Sequence, residues 1–422
     1  VTVWKTDADG PNLDHPPTYE SVATGTSEVE LPLTGSCVVD WAHTEDESLQ
    51  GRVSVDGAHV LSLPKPGFYE IAIRGDLTAF SCYRHKDRAK LIELRQWGDI
   101  RWETMHHAFH GAHNLTVSAT DAPDLSRVTT LDAMFAQASA FNAPINHWDV
   151  HTITNMRRMF AAALAFDQDL DQWDTSNVTD MSEMFQSAGQ FNGAIGDWDV
   201  SSVRSMYRML KGADSFDQAL SAWPVEAVRV AMHVDWASPA PYDRTLLGWA
   251  IQASPNHELY ASTPYQKADP FRLHLTDTCG WTITDQGRTT RGTSPIEAAE
   301  TCVVRRNRTA ALRRVGVEVT WPHDVGAVRL TGGRLHEPPR RAHEAAAEAT
   351  TSFALITTKC PETDATLHFD AAHVSHEDPS KTQIYWRIRF DAGPFTALET
   401  TYHPETNTLS VKAPARGEFV MG

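Results

Sequence analysis

From Val128 to Val228 the chain repeats itself every 25 residues. Trp148, Trp173, Trp198 and Trp223 keep that step, as do Met134, Met159, Met184 and Met209 and, in a third register, Phe141, Phe166, Phe191 and Phe216. Val128, Ile153, Val178, Val203 and Val228 form a fourth. A period of this length marks stacked supersecondary units, each burying its apolar side only against its neighbours. Such an array is a surface before it is a pocket, so the first question is what it touches.

Within each unit the apolar spacing predicts a helix of about ten residues. Met156, Met159, Phe160 and Ala163 fall at i, i+3, i+4 and i+7, and Leu131–Ala138, Met181–Ala188 and Met206–Ala213 repeat the pattern. Phe166-Asp-Gln-Asp-Leu170 and Trp173-Asp-Thr-Ser-Asn-Val178 then read as short extended pieces with turns. At strand spacing, about 5 Å per coil, five coils make a rod roughly 25 Å long. The Met and Trp columns admit a reading as a cofactor box or sugar-stacking platform, but their recurrence at the inward spacing favours core. Surface chemistry then falls to the variable positions, such as Gln137, His147, Arg157, Arg158, Gln186, Arg204 and Lys211.

The 422 residues are enough for two to four domains, and a hydrophobic content of 41% describes an ordinary globular protein. No run of 18 apolar residues exists, so no membrane span is expected. A net charge of −17 opposes a phosphate backbone, so nucleic acid is not an expected partner. The start at Val1, without Met or an apolar leader, fits a processed chain or a trimmed one. The five cysteines contain no CxxC pair. In a secreted chain Cys37–Cys82 and Cys302–Cys360 are the expected bridges, with Cys279 left over; the alternative is five reduced thiols. Asn114, Asn177 and Asn307 head glycosylation sequons, which matter in a eukaryotic or viral setting. No cofactor motif is present: there is no P-loop, no GxGxxG after a strand, no GxSxG and no HExxH.

The repeat resembles the BspA-type leucine-rich repeat family of surface proteins. The resemblance rests on Trp173-Asp-Thr-Ser-Asn-Val-Thr-Asp-Met-Ser-Glu-Met-Phe185, then Phe191-Asn192, and their counterparts in neighbouring coils. It extends to Trp4-Lys-Thr-Asp7, Val38-Val-Asp-Trp41, Pro66–Asp76, Gln96–Trp102 and Ala119–Ser126, which look like the amino-terminal region of bacterial members. Tyr242–Trp249 and Gly280–Asp285 are similar to the segment that closes the solenoid. About residues 1–287 are covered. The resemblance implies an extracellular or cell-surface protein used for adhesion or partner binding, with no shared catalytic residues.

Residues 1–88 read as β structure, with Val39–Trp41 and Gly67–Ile71 as two strands of a PKD-like sandwich. The Gly-Asp-Gly turn usual in PKD domains after the Trp is replaced here by Ala42-His43-Thr44. Asp7, Asp9 and Asp14 read as a calcium set or, more simply, as a solvated acidic loop. Residues 89–235 form the solenoid, with an atypical first coil in which Met105, Ala108, Phe109 and Ala112 keep the inward pattern. Pro224 breaks the pattern where the stack should stop, and 236–287 form its cap. His106, His110 and His113 share one face of the first coil's expected helix, as surface histidines or a metal set.

Residues 288–422 read as a β-rich domain of unknown type, with a strand signal at Ile384–Phe390 and another at Thr351–Thr358. Ala342–Ala349 reads as a short helix or linker, and His403–Asn407 as a turn into Leu409–Val411. His368, Asp370, His373, His376 and Asp378 cluster there, but strand alternation splits them as metal ligands. The expected fold is multidomain α+β: a short leucine-rich-repeat-like α/β solenoid flanked by a PKD- or Ig-like β-sandwich and a β-rich carboxy-terminal domain. The leading functional expectation is a non-enzymatic extracellular protein that binds a protein or glycan on a cell surface. The alternative is a structural subunit of a filament, sheath or virion appendage that joins copies of itself through its end domains. A metal-dependent enzyme built on His368, His373 and His376 is the third.

Overall fold

The computed structural model describes residues 1–6, 26–252, 254–289, 296–304, 307–312, 317–325, 328–335, 351–357, 365–371, 384–387, 396–413 and 417–421. The chain is multidomain and mostly β, with few helices. It forms two compact units, Val1–Gln218 with Ala227–Ala237, and Ala219–Glu226 with Ser238–Gly422.

The first unit opens with strands β1 (Thr2–Lys5), β2 (Glu28–Leu31), β3 (Leu33–His43), β4 (Asp46–Asp56), β5 (His59–Ser62) and β6 (Phe68–Phe80). With β7 (Leu91–Leu94) and β8 (Thr116–Val117), most of them build a six-stranded sheet in the order β4-β3-β6-β1-β7-β8; β2 and β5 form a separate pair. The two strands expected from sequence are neighbours, with Trp41 opposite Ile71. β1 pairs with β6 on one edge and β7 on the other, so the sheet runs past residue 88 into the first coil. Trp4 is fully buried in it, its indole N–H donating to the Thr2 hydroxyl at 2.9 Å.

The expected Cys37–Cys82 bridge is absent: both are buried free thiols. Cys37 lies opposite Gly75, and Cys82 follows Gly75 by seven residues. At about 3.3 Å per extended residue that is on the order of 20 Å, whereas a disulfide requires Cα atoms about 4.4–6.8 Å apart. Cys302 lies on a strand described without its side chain, and Cys360 lies outside the described residues, as do Asp7, Asp9 and Asp14.

In the repeats the expected ten-residue helix is replaced by a run of turns. The N–H groups of Met134, Ala136 and Ala138 donate three residues back, to Leu131, Ala133 and Phe135, at 3.0–3.2 Å. Those of Leu131, Ala133, Phe135 and Gln137 cross instead to Asn155, Arg157, Met159 and Ala161 of the next coil, at 2.7–2.9 Å. The same alternation recurs from Met156 to Ala163 and from Met181 to Ala188. An α-helix commits its N–H groups to the residue four back and has none to offer sideways. The turns bend the backbone into the left-handed region twice per coil, at Ala133 and Gln137, Arg158 and Ala162, Glu183 and Ser187 (φ 53–61°). Glycines take the equivalent second position in the first and last coils, Gly111 and Gly212, both at φ 72°. The apolar spacing nonetheless marks the inward residues correctly, since Met156, Met159, Phe160 and Ala163 are all fully buried.

Each coil adds one rung to aromatic stacks. Phe135, Phe160 and Phe185 follow one another at 5.9 and 5.5 Å, and Phe141, Phe166, Phe191 and Phe216 at 5.6, 5.9 and 6.0 Å. Trp173 and Trp198 lie parallel at 6.3 Å, and their indole N–H groups donate to Ile145 and Leu170 carbonyls. Each indole donor is thus satisfied inside the stack. Trp148 is buried against Trp97, and Trp223 is buried within the second compact unit. Met134, Met159, Met184 and Met209 are at most 1% exposed. Just before the turns, Thr154, Thr179, Arg204 and Arg229 each donate an N–H to the residue 25 earlier, forming parallel rungs at 2.8–2.9 Å. β9 (Met232–His233) follows.

The second unit begins with helix α1 (Pro239–Gln252), β10 (Glu258–Tyr260), helix α2 (Asp269–Leu273) and β11 (Thr282–Thr284), which pairs in parallel with β10. Beyond it lie β12 (Ile296–Val304), β13 (Asn307–Leu312), β14 (Val317–Val325), β15 (Val328–Leu335), β16 (Thr351–Thr357), β17 (Ala365–Asp370), β18 (Ile384–Arg387), β19 (Thr396–Leu398), β20 (Thr401–His403), β21 (Thr408–Ala413) and β22 (Gly417–Met421). They form two antiparallel sheets, β12-β15-β16-β22-β18-β19 and β13-β14-β17-β21-β20. Phe369 of one sheet meets Phe419 of the other at 5.5 Å, in a core with Val319, Leu367, Leu409 and Met421. The expected turn at His403–Asn407 and strand at Leu409–Val411 are present; Ile388, Phe390 and Ala342–Ala349 lie outside the described residues.

Candidate interaction surface

Because stacking fixes the inward side chains, the first unit can vary only its outward columns. On the turn side one column runs His107, Ala133, Arg158, Glu183, Arg208, and its neighbour His106, Asp132, Arg157, Ser182, Tyr207; Ala133 and Ser182 are buried and the others reach the surface. Arg157 and Arg158 both reach Glu183 in the next coil, at 3.4 and 2.9 Å, so two of the variable cations are neutralised within the stack. Gln137 and Gln186 are half-buried, while His147, Arg204 and Lys211 project into solvent.

The three histidines expected on one helix face are separated by the turns. His106 is exposed and 3.3 Å from Asp132, while the His113 ring nitrogen faces the Gln137 carbonyl at 2.9 Å. His110 packs edge-on against His107 and Tyr83. Burial pushes the His110 imidazole down to about 4, helped by the neighbouring His107 and Arg88. Burial likewise lowers His107, His113 and His85. Among the described residues no group of three or more His, Cys, Asp or Glu is placed to hold a metal.

Sequence reading missed the aromatic stack here. Tyr83 lies on His107 at 4.2 Å and His107 on His106 at 3.9 Å, with Tyr83 44% exposed. Nothing in the repeat period points to Tyr83, which precedes the coils and meets them only through the fold. Tyr207 and Arg208 make an aromatic–cation pair, centred 4.9 Å apart, on the same two columns.

Residues 90–239 match the family described as "Mycoplasma protein of unknown function, DUF285". That family is associated with BspA-like repeats, and its match spans the coils and their flanks. No curated protein and no solved structure matches the chain.

In the carboxy-terminal sheets, His368 sits half-buried on β17 opposite Ser410. His373, His376 and Asp378 lie outside the described residues, and Asp370 is described without its side chain. The His403 ring touches the Ser410 hydroxyl at 2.8 Å and lies 3.6 Å from Glu405. This hydroxyl–imidazole–carboxylate line looks like acyl-transfer chemistry, but Ser410 lies inside β21, paired with β17 and β20. Among the described residues, the backbone N–H groups beside it serve the β17–β21–β20 ladder.

Proposed function

We propose that this chain is a non-enzymatic binding protein that works outside the cell, its repeats forming a short BspA-type leucine-rich-repeat-like solenoid that presents outward side chains to a protein or glycan. The amino-terminal sheets, read as a PKD-like sandwich, and the carboxy-terminal sheets serve as flanking modules. The observation that carries this reading is the division of labour within the coil. The 25-residue period is spent on buried Phe, Met and Trp, while positions such as Arg204, Tyr207 and Lys211 change from coil to coil. The test is saturable retention of the full chain on arrayed glycans and matrix proteins. Retention that falls in a variant carrying Arg204→Glu, Tyr207→Ser and Lys211→Glu, but not in one carrying His403→Gln, supports the reading. No saturable retention, or retention blind to the coil surface, counts against it.

A second reading, a structural subunit, draws on one feature. Among the described residues, β4 has no strand on its outer edge over Asp46–Asp56, and an open edge can take up another chain. Light scattering separates the two: ordered assemblies favour the subunit, and a particle near 46.8 kDa favours the binding protein.

A further inference from the structure

The rung column that leads into the turns changes character along the stack. Its first positions are Thr129, Thr154 and Thr179, and the N–H and hydroxyl of Thr154 and of Thr179 each donate to the carbonyl of the threonine before it. Its last two are Arg204 and Arg229, joined by the Arg229 N–H to the Arg204 carbonyl at 2.8 Å. Two guanidinium side chains therefore leave adjacent rungs on one side, about 5 Å apart at the backbone. Side-by-side cations repel, and nothing in the core demands them at exposed positions.

The two arginines border a surface hollow of about 490 Å³ together with Asn177, Thr179, Ser201 and Ser202. Among the described residues the Arg204 guanidinium has no ion pair and no hydrogen-bond partner, and neither do the hydroxyls of Ser201 and Ser202; the Arg229 guanidinium donates to the Val228 carbonyl at 3.3 Å, which leaves Arg204 as the open member of the two. This contrasts with Arg157 and Arg158, which Glu183 neutralises. An open cation is the more telling in a chain of net charge −17, where carboxylates outnumber cations 54 to 37.

We propose that this hollow binds an anionic saccharide, a chain whose sugars carry sulfate or carboxylate groups. The inference rests on the binding-protein reading and narrows it to a ligand class and a place. Guanidinium forks match the paired oxygens of sulfate and carboxylate. The serine hydroxyls and the Asn177 carbonyl oxygen suit sugar hydroxyls, which both donate and accept. A pyranose ring is about as long as one rung, so successive sugars of a linear chain can set successive anions against Arg204 and Arg229. The acidic protein opposes any anion held by charge alone, so binding depends on this pair and weakens with salt.

The experiment is calorimetric titration of the full chain with three oligosaccharides: a sulfated one, a uronate-rich one without sulfate, and a neutral dextran. The sulfated or the uronate probe should bind and the neutral one should not. Arg204→Gln with Arg229→Gln should weaken that binding by about tenfold or more, the scale of lost charge-assisted hydrogen bonds. Lys412→Gln, an exposed cation on β21 of the second unit, should leave it unchanged. An unaltered thermal melt of the double variant guards against misfolding, and Arg204→Lys alone gives a milder second variant that keeps the charge but loses the fork. Which charged probe binds identifies the anion. Failure of both to bind, or equal binding by wild type and double variant, overturns the proposal. Should the chain meanwhile still be retained on arrayed surfaces, the saccharide inference fails and the broader reading stands.

Discussion

Gln137 and Ala162 hold the same left-handed backbone position in adjacent coils, at φ 61° and 56°, and each sends its N–H to the coil beyond, at 2.7 Å. Neither arrangement exists in an α-helix. A side chain in this region is strained relative to glycine by about 1 kcal/mol, whereas glycine inside a helix costs about 1 kcal/mol. Ala162→Gly should therefore be neutral or stabilising by up to about 1 kcal/mol in urea denaturation. A loss of about 1 kcal/mol would restore the helix reading.

The aromatic stack makes Phe160 a shared member of three coils, touching Phe135, Phe166 and Phe185. Phe160→Ala should cost about 3–5 kcal/mol, the range for a large buried side chain whose site cannot collapse. Equilibrium denaturation reads this; a cost below about 1 kcal/mol would mean that the rungs do not lean on one another.

Acid should weaken the first coil. Burial holds His110 near 4, below its unfolded value of 6.5. Between those values the unfolded chain binds a proton that the folded chain refuses, so stability rises with pH across the window. It is fully present above about pH 6.5 and is lost as pH falls toward about 4, by on the order of 2–3 kcal/mol for this residue. His110→Gln should flatten the dependence of the denaturation midpoint between pH 4 and 6.5, and an unchanged slope would contradict the assignment.

In the second unit Asp285, with a side chain 2% exposed, accepts the Tyr242 hydroxyl at 2.7 Å and the Arg272 guanidinium at 2.9 Å. Removing one partner of such a pair strands the other charge. Arg272→Met should cost about 3 kcal/mol, and Asp285→Asn less, because the amide can still accept the Tyr242 hydroxyl. Thermal unfolding of both variants tests the order.

Cys37 and Cys82, as free thiols, should be alkylated in denaturant without prior reduction. A mass that shows them blocked until reductant is added would restore the bridge.

Much of this molecule is legible in the repeat. The period gives the inward Phe, Met and Trp columns because stacking forces one residue type into one environment at every coil. It does not give the backbone: turns and a helix place Met156, Met159, Phe160 and Ala163 on the same side, and only the cross-coil N–H bonds tell them apart. The Tyr83–His107–His106 stack and the Arg204–Arg229 pair are less visible. The first joins a residue outside the period to the coil, and the second is a column only once the rungs are known. The Cys37–Cys82 pairing fails for a related reason, since membership of one domain says nothing of where along the β3–β6 ladder each cysteine falls.

The central claim is that the repeat columns are interior and the variable positions are what a partner can touch. Hydroxyl-radical footprinting, read residue by residue on the intact chain, tests it directly. Met159, Phe166 and Trp173 should be protected, while Tyr83 and Leu164, each 44% exposed, and His147 should be labelled readily. Labelling of the Met and Trp columns at the rate of Tyr83 and Leu164 would contradict the account.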